Sequence, residues 1–131
     1  YWVLFPIIAL ITLSIYVSEI GKPNLNLSNN RNTVKIIPKI PKLILSNAQE
    51  IIVTKCSMCH AKEPLWENMQ SAPKLLILET TEDIINNIDK IYTQSVISFA
   101  MPPGNISFLE NHERAEIDKL YEAISKIKIN K

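Results

Sequence analysis

Two cysteines and a histidine fall within five residues, Cys56-Ser57-Met58-Cys59-His60, and the 131-residue chain holds no other cysteine. Thiols three residues apart sit about one helical turn from each other. Both can therefore reach the two vinyl groups of one porphyrin, and the next residue is then placed under the iron as an axial ligand. This CxxCH pattern is the c-type haem attachment sequence. Three other uses of the same residues compete with it. A thiol-redox CxxC expects a strand–helix context that the flanking sequence lacks. A zinc site needs four ligands, and only Cys56, Cys59, His60 and the distant His112 are on offer, at no standard spacing. Two buried structural cysteines are the plainest reading, but they leave the adjacent histidine unexplained.

Composition narrows the field. Two cysteines are too few for a disulfide framework. Eight prolines stand against two glycines, Gly21 and Gly104, so no glycine-rich nucleotide loop is present. The formal charge is +1, which gives no field suited to nucleic acid.

The chain divides into three parts. Tyr1 to Ser18 reads YWVLFPIIALITLSIYVS and carries no charge. It is apolar on every side rather than along one stripe, the pattern of a membrane span. The run Tyr1 to Val17 gives about 26 Å of helix against a hydrocarbon core of about 30 Å. The expectation is a transmembrane helix over residues 1–19, entered partway by a chain that is a fragment of something longer. Pro6 kinks this helix or lies in its first turn, and Trp2 and Tyr16 suit the two interfaces. A cleaved signal peptide needs a basic start and a small-residue cleavage site, and neither is present. Residues 20–43 form a linker rich in Asn, Pro and Lys. It holds five basic residues, Lys22, Arg31, Lys35, Lys39 and Lys42, and suits a solvated tether or a strip on anionic headgroups. Residues 44–131 hold nine basic and twelve acidic residues, a domain charge of −3 that favours a partner with a basic face.

Three helices are legible in that domain, and no strand pair. The first runs from Asn47 to Cys59, with Ser46 as cap and Gln49 in the capping-box position. The second runs from Glu82 to Ile97, where Ile84, Ile85, Ile88, Ile91 and Tyr92 share one face. The third runs from Asn111 to Ile127, with Ile117, Leu120, Tyr121, Ile124 and Ile127 in register. A domain this short buries little more than half of its unfolded surface, so a bulky cofactor helps complete the core.

Met101 lies 41 residues after His60, in Met101-Pro102-Pro103-Gly104-Asn105. A thioether in a proline-stiffened loop is a good sixth iron ligand, and Met/His ligation raises a haem's potential. Core filling is the alternative for a lone methionine. Met58 sits inside the attachment loop and Met69 on the proximal side in sequence, so both are poorer candidates. The Pro73 carbonyl, 13 residues after His60, is placed in sequence to accept the second ring N–H of that histidine; an ordinary loop proline is the other reading. Trp66 reads as core or cofactor-edge packing. Its indole and the Tyr92 hydroxyl are also candidate donors to a propionate. His112 reads as a solvated surface residue.

The order helix, CxxCH, proline, helix, Met-Pro, helix resembles class I cytochrome c domains. Cys56-Ser57-Met58-Cys59-His60-Ala61, Glu63-Pro64-Leu65-Trp66, Ala72-Pro73-Lys74, Met101-Pro102-Pro103-Gly104-Asn105 and Glu113-Arg114 together resemble the C-terminal cytochrome c domain of membrane-bound urate oxidases (urate hydroxylases). The chain departs from that pattern at Leu75-Leu76, where a glycine is expected, and at Tyr121, near where a tryptophan is common. The resemblance implies an all-α class I cytochrome c domain preceded by a single transmembrane helix, the last span of a larger membrane protein, and an extended linker. It implies one covalently attached haem c, with Cys56, Cys59, His60, Met101 and Pro73 binding it and His60 and Met101 on the iron. Urate is then oxidised in the upstream membrane portion of the same polypeptide, and no catalytic residue for urate lies in this chain. Electrons pass through the haem to a respiratory acceptor. The alternative is a stand-alone membrane-tethered electron shuttle. The implied location is the bacterial inner membrane, with the cytochrome domain facing the periplasm. The basic linker by itself argues for the cytoplasmic side, but preceding spans set topology.

Overall fold

The structure is a computed structural model that describes residues 11–14 and 36–129. Most of the expected span over residues 1–19, and the linker up to residue 35, lie outside the described residues. Residues 11–14 are helical and exposed, and no described helix is long and apolar enough to cross a membrane.

The described domain is all-α. Its elements are three one-turn 3-10 helices, Ile37–Lys39, Pro73–Leu75 and Pro103–Asn105, and four α-helices: α1 Lys42–His60, α2 Thr81–Asn86, α3 Ile88–Tyr92 and α4 Asn111–Ile129. A π-turn, Thr93–Ile97, continues directly from α3. The most extensive packing is between α1 and α4, the first and last long helices. Ala48 and Ile52 on α1 meet Ile117, Leu120 and Ile124 on α4 in one buried cluster, which Ile84, Ile85, Ile88 and Ile91 complete. These α4 positions repeat every three or four residues, so a single stripe faces inward. Asn47 of α1 donates to Glu116 of α4 at 3.4 Å and tightens the same contact.

Three boundaries differ from the sequence reading. The linker does not stay extended to residue 43: Ile40 is buried in the core, Ile36 and Ile37 pack on it, and α1 already begins at Lys42. Pro41 takes the N-cap position, because its fixed φ is preorganised for a helix start. Ser46 therefore lies inside α1 and bonds back to the Leu43 carbonyl, while Gln49 accepts from Thr81. The true capping box is at α2. The Thr80 hydroxyl accepts from the Asp83 N–H at 3.1 Å, and the Asp83 carboxylate accepts from the Thr80 N–H at 3.0 Å.

The second helix is not continuous. Asn87 leaves helical geometry (φ −113°, ψ 12°), and its side-chain amide donates to the Asp83 carbonyl. Asparagine side chains compete with the backbone in this way. After α3, Thr93 and Ser95 bond back to the Asp89 and Ile91 carbonyls, and the Ser98 N–H reaches Thr93 five residues back. The helix is thereby widened into a π-turn just before the Met101 loop.

Lys74 and Leu75 both have φ near +54°. That region favours glycine, which explains on backbone grounds why a glycine suits the residues after Ala72-Pro73. Leu75 is exposed, so its side chain contributes little packing to offset the strain.

Candidate haem site

The last turn of α1 carries Cys56, Cys59 and His60 on a run uninterrupted by Pro or Gly from Lys42 onward. The helix stops at Ala61, where the backbone becomes extended. The Leu65 and Trp66 N–H groups then both turn back to the Met58 carbonyl, at 3.0 and 3.3 Å. The five-residue motif is thus held as one rigid unit.

His60 is fixed twice by the extended chain that follows. Its carbonyl accepts from the Leu78 N–H at 2.7 Å, and its ring Nδ1 donates to the Leu76 carbonyl at 2.9 Å. A carbonyl only accepts, so Nδ1 carries a hydrogen, and in the neutral ring the lone pair is then on Nε2. This tautomer is the one a metal-ligating histidine needs. The partner corrects the sequence reading. Pro73 does not accept from His60; its carbonyl accepts from the Leu76 N–H at 3.1 Å and so closes the turn that presents Leu76. Pro73 still lines the cleft.

Two adjoining hollows, of about 110 and 560 Å³, open beside this histidine. Cys56, His60, Pro73, Ser95 and Met101 line both. Cys59 lines the smaller one, together with Met58 and Met69. The combined cleft is of the size that takes small-molecule cofactors, and its wall is largely apolar side chain. Met101 comes from the loop after the π-turn. Phe99, Asn105 and Phe108 take positive φ in this loop, as does Gly104 at +56°, where a glycine is the residue of least strain.

The remaining predicted residues separate. Trp66 is 43% exposed and is not core. Tyr92 lines neither hollow and stacks face to face on Tyr121 at 3.8 Å. His112 is exposed beside Glu110 at 3.2 Å, as its sequence position implied. Among the described residues, no three His, Cys, Asp or Glu side chains gather in a metal-holding group.

Ser107 was not visible as a site residue in the sequence. Its hydroxyl is buried in the wall of the smaller hollow with no hydrogen-bond partner. Such an orphan costs free energy unless something in the cleft satisfies it. The donor set fits a haem c: two thiols one turn apart, an imidazole with Nε2 free, a thioether in the same cleft, apolar walls, and an unpartnered hydroxyl for a polar edge.

Both cysteines are free thiols. Burial, and to a lesser degree the adjacent Cys59, pushes the Cys56 thiol up from 9.0 to about 11, with Arg114 opposing the rise. Cys56 therefore stays protonated at neutral pH. A raised folded-state value favours folding below the unfolded value and loses that advantage as pH rises through the folded one. The haem-free protein is expected to lose roughly 2 kcal/mol of stability between about pH 9 and pH 11. Denaturant titrations across that range check it, with Cys56→Ala showing a flatter profile than the parent.

No family model, curated protein or solved structure matches this chain.

Proposed function

We propose that this chain is the haem c electron-transfer domain of a membrane-bound urate oxidase, built as a class I cytochrome c domain. The observation that carries the haem reading is that Cys56, Cys59, His60 and Met101 all line one apolar cleft, with the His60 Nδ1 hydrogen committed to a backbone carbonyl. Cys56 and Cys59 would hold the macrocycle through thioether links, and His60 Nε2 and the Met101 sulfur would ligate its iron. Bound there, haem supplies one-electron ferric–ferrous exchange.

The chain's own residues do the rest. The Leu76 carbonyl keeps the imidazole in one tautomer and orientation, and a hydrogen bond of this kind makes Nε2 a better donor. The apolar wall lowers the local polarity, which tunes potential. The net acidic charge of residues 44–131 favours an electron acceptor with a basic face.

The urate assignment rests on the sequence resemblance. In this reading the upstream membrane portion of the same polypeptide oxidises urate and passes electrons to this domain. The domain stands on the periplasmic face of the bacterial inner membrane and hands them to a respiratory acceptor. The test uses membranes that contain the full-length protein, held anaerobically. Adding urate is expected to reduce the haem, read from its absorption. If ascorbate reduces the haem and urate does not, the urate reading fails and a tethered electron shuttle takes its place. If no covalent haem is found, the cytochrome reading itself fails.

A further inference from the structure

Arg114 is a cation buried at 5% exposure, and it makes no ion pair among the described residues. An unpaired buried charge is costly, so the groups that hold it reveal its use. Its guanidinium donates to the Ser95 carbonyl, to the Met101 carbonyl at 3.2 Å and to the Asn105 side-chain oxygen at 3.4 Å. Phe99 lies beneath it, 4.4 Å from ring centroid to guanidinium carbon. Its partners are spread from the π-turn to the far side of the Met101 loop.

Met101 is pinned from its other side as well. Its N–H donates to the Gln94 carbonyl at 2.9 Å, in the same π-turn whose Ser95 carbonyl Arg114 holds. Both peptide groups flanking the Met101 side chain are therefore tied to one frame, made of the π-turn and α4. The Asn105 oxygen extends the frame by also accepting the Leu109 N–H at 2.9 Å. A planar fork can serve several acceptors at fixed angles, which a lysine ammonium cannot.

We infer that Arg114 is a positioning residue for the sixth iron ligand: it locks the Met101 loop to α4 so that the thioether stays over the cleft. This inference rests on the haem reading above. It assigns to a buried arginine, 13 residues from the ligand, control of how firmly that ligand closes.

The experiment uses the full chain with haem attached, and variants Arg114→Gln and Arg114→Lys. Added imidazole competes with Met101 for the iron, so its apparent affinity reports how readily the Met101 loop opens. Arg114→Gln is expected to raise that affinity at least tenfold, with covalent haem content unchanged. Arg114→Lys, which keeps the charge but not the fork, is expected to fall between Arg114→Gln and the parent. Met101→Ala sets the ceiling. An affinity within twofold of the parent in both folded variants overturns the inference. If Arg114→Gln does not fold, Arg114→Lys decides alone, with at least a threefold rise expected. A parent chain without haem refutes the cytochrome reading separately. Amide hydrogen exchange of the haem-free chain then tests Arg114 alone. Exchange at Met101 is expected to quicken at least tenfold in the variant while Ile52 stays protected, and unchanged exchange at Met101 overturns the contact's role.

Discussion

A chain carrying both Cys56→Ala and Cys59→Ala, expressed with the periplasmic haem-attachment machinery, is expected to retain no covalent haem. The parent keeps its haem through acid–acetone extraction and denaturing electrophoresis; the double variant loses all of it. Each single variant keeps one thioether and a shifted reduced-haem absorption. The effect is all-or-none because the two sulfurs are the only thiols in the chain. Loss of fold does not confound the result. Both cysteines are only half-buried, and removing each sulfur costs at most about 1 kcal/mol in the manner of other small truncations. Far-ultraviolet circular dichroism of the haem-free variant should match that of the haem-free parent. Covalent haem in the double variant would refute the assignment of the attachment residues.

How much of this was legible in the sequence follows from which interactions are local. CxxCH is a local code: its spacing fixes both thiols and the imidazole at one helix end, and the structure keeps all three at one cleft. The inward faces of the later helices were equally legible, because Ile84, Ile88, Ile117, Leu120 and Ile124 recur at helical spacing and all are buried. The break at Asn87 was not, because an asparagine in a helical pattern looks the same whether its amide points to solvent or back to the Asp83 carbonyl. Sequence position points to the Pro73 carbonyl as the orienting group, yet Leu76 makes that contact. Two residues separate them, Lys74 and Leu75, and their positive φ values decide which carbonyl faces the ring. Backbone turns of that kind leave little trace in side-chain chemistry unless a glycine marks them, and here none does. The burial of Arg114 was not legible either, because it depends on a loop that arrives from a different element.

The identity of the distal ligand has a sharper test than its position in the loop. Met101→Ala is expected to abolish the far-red sulfur-to-iron charge-transfer absorption of the ferric protein. The reduction potential should fall by at least about 120 mV, a hundredfold shift of a one-electron equilibrium. The direction follows from the ligand: a thioether favours the ferrous state, and its loss leaves a weaker or oxygen-donor sixth position. The stability of the haem-free chain should change little, because Met101 is 37% exposed and its packing contribution is correspondingly small. Two other methionines line the smaller hollow, so Met58→Ala and Met69→Ala are the informative controls. Neither of their peptides is tied to both the π-turn and α4, whereas the Met101 N–H and carbonyl are held by Gln94 and Arg114. Both controls should keep the charge-transfer band and a potential within about 60 mV of the parent, less than one factor of ten. A band that survives Met101→Ala but disappears in Met69→Ala would move the ligand to the loop after Trp66. The Met101 loop would then be only a wall of the cleft, and the clamp from Arg114 would stabilise that wall alone.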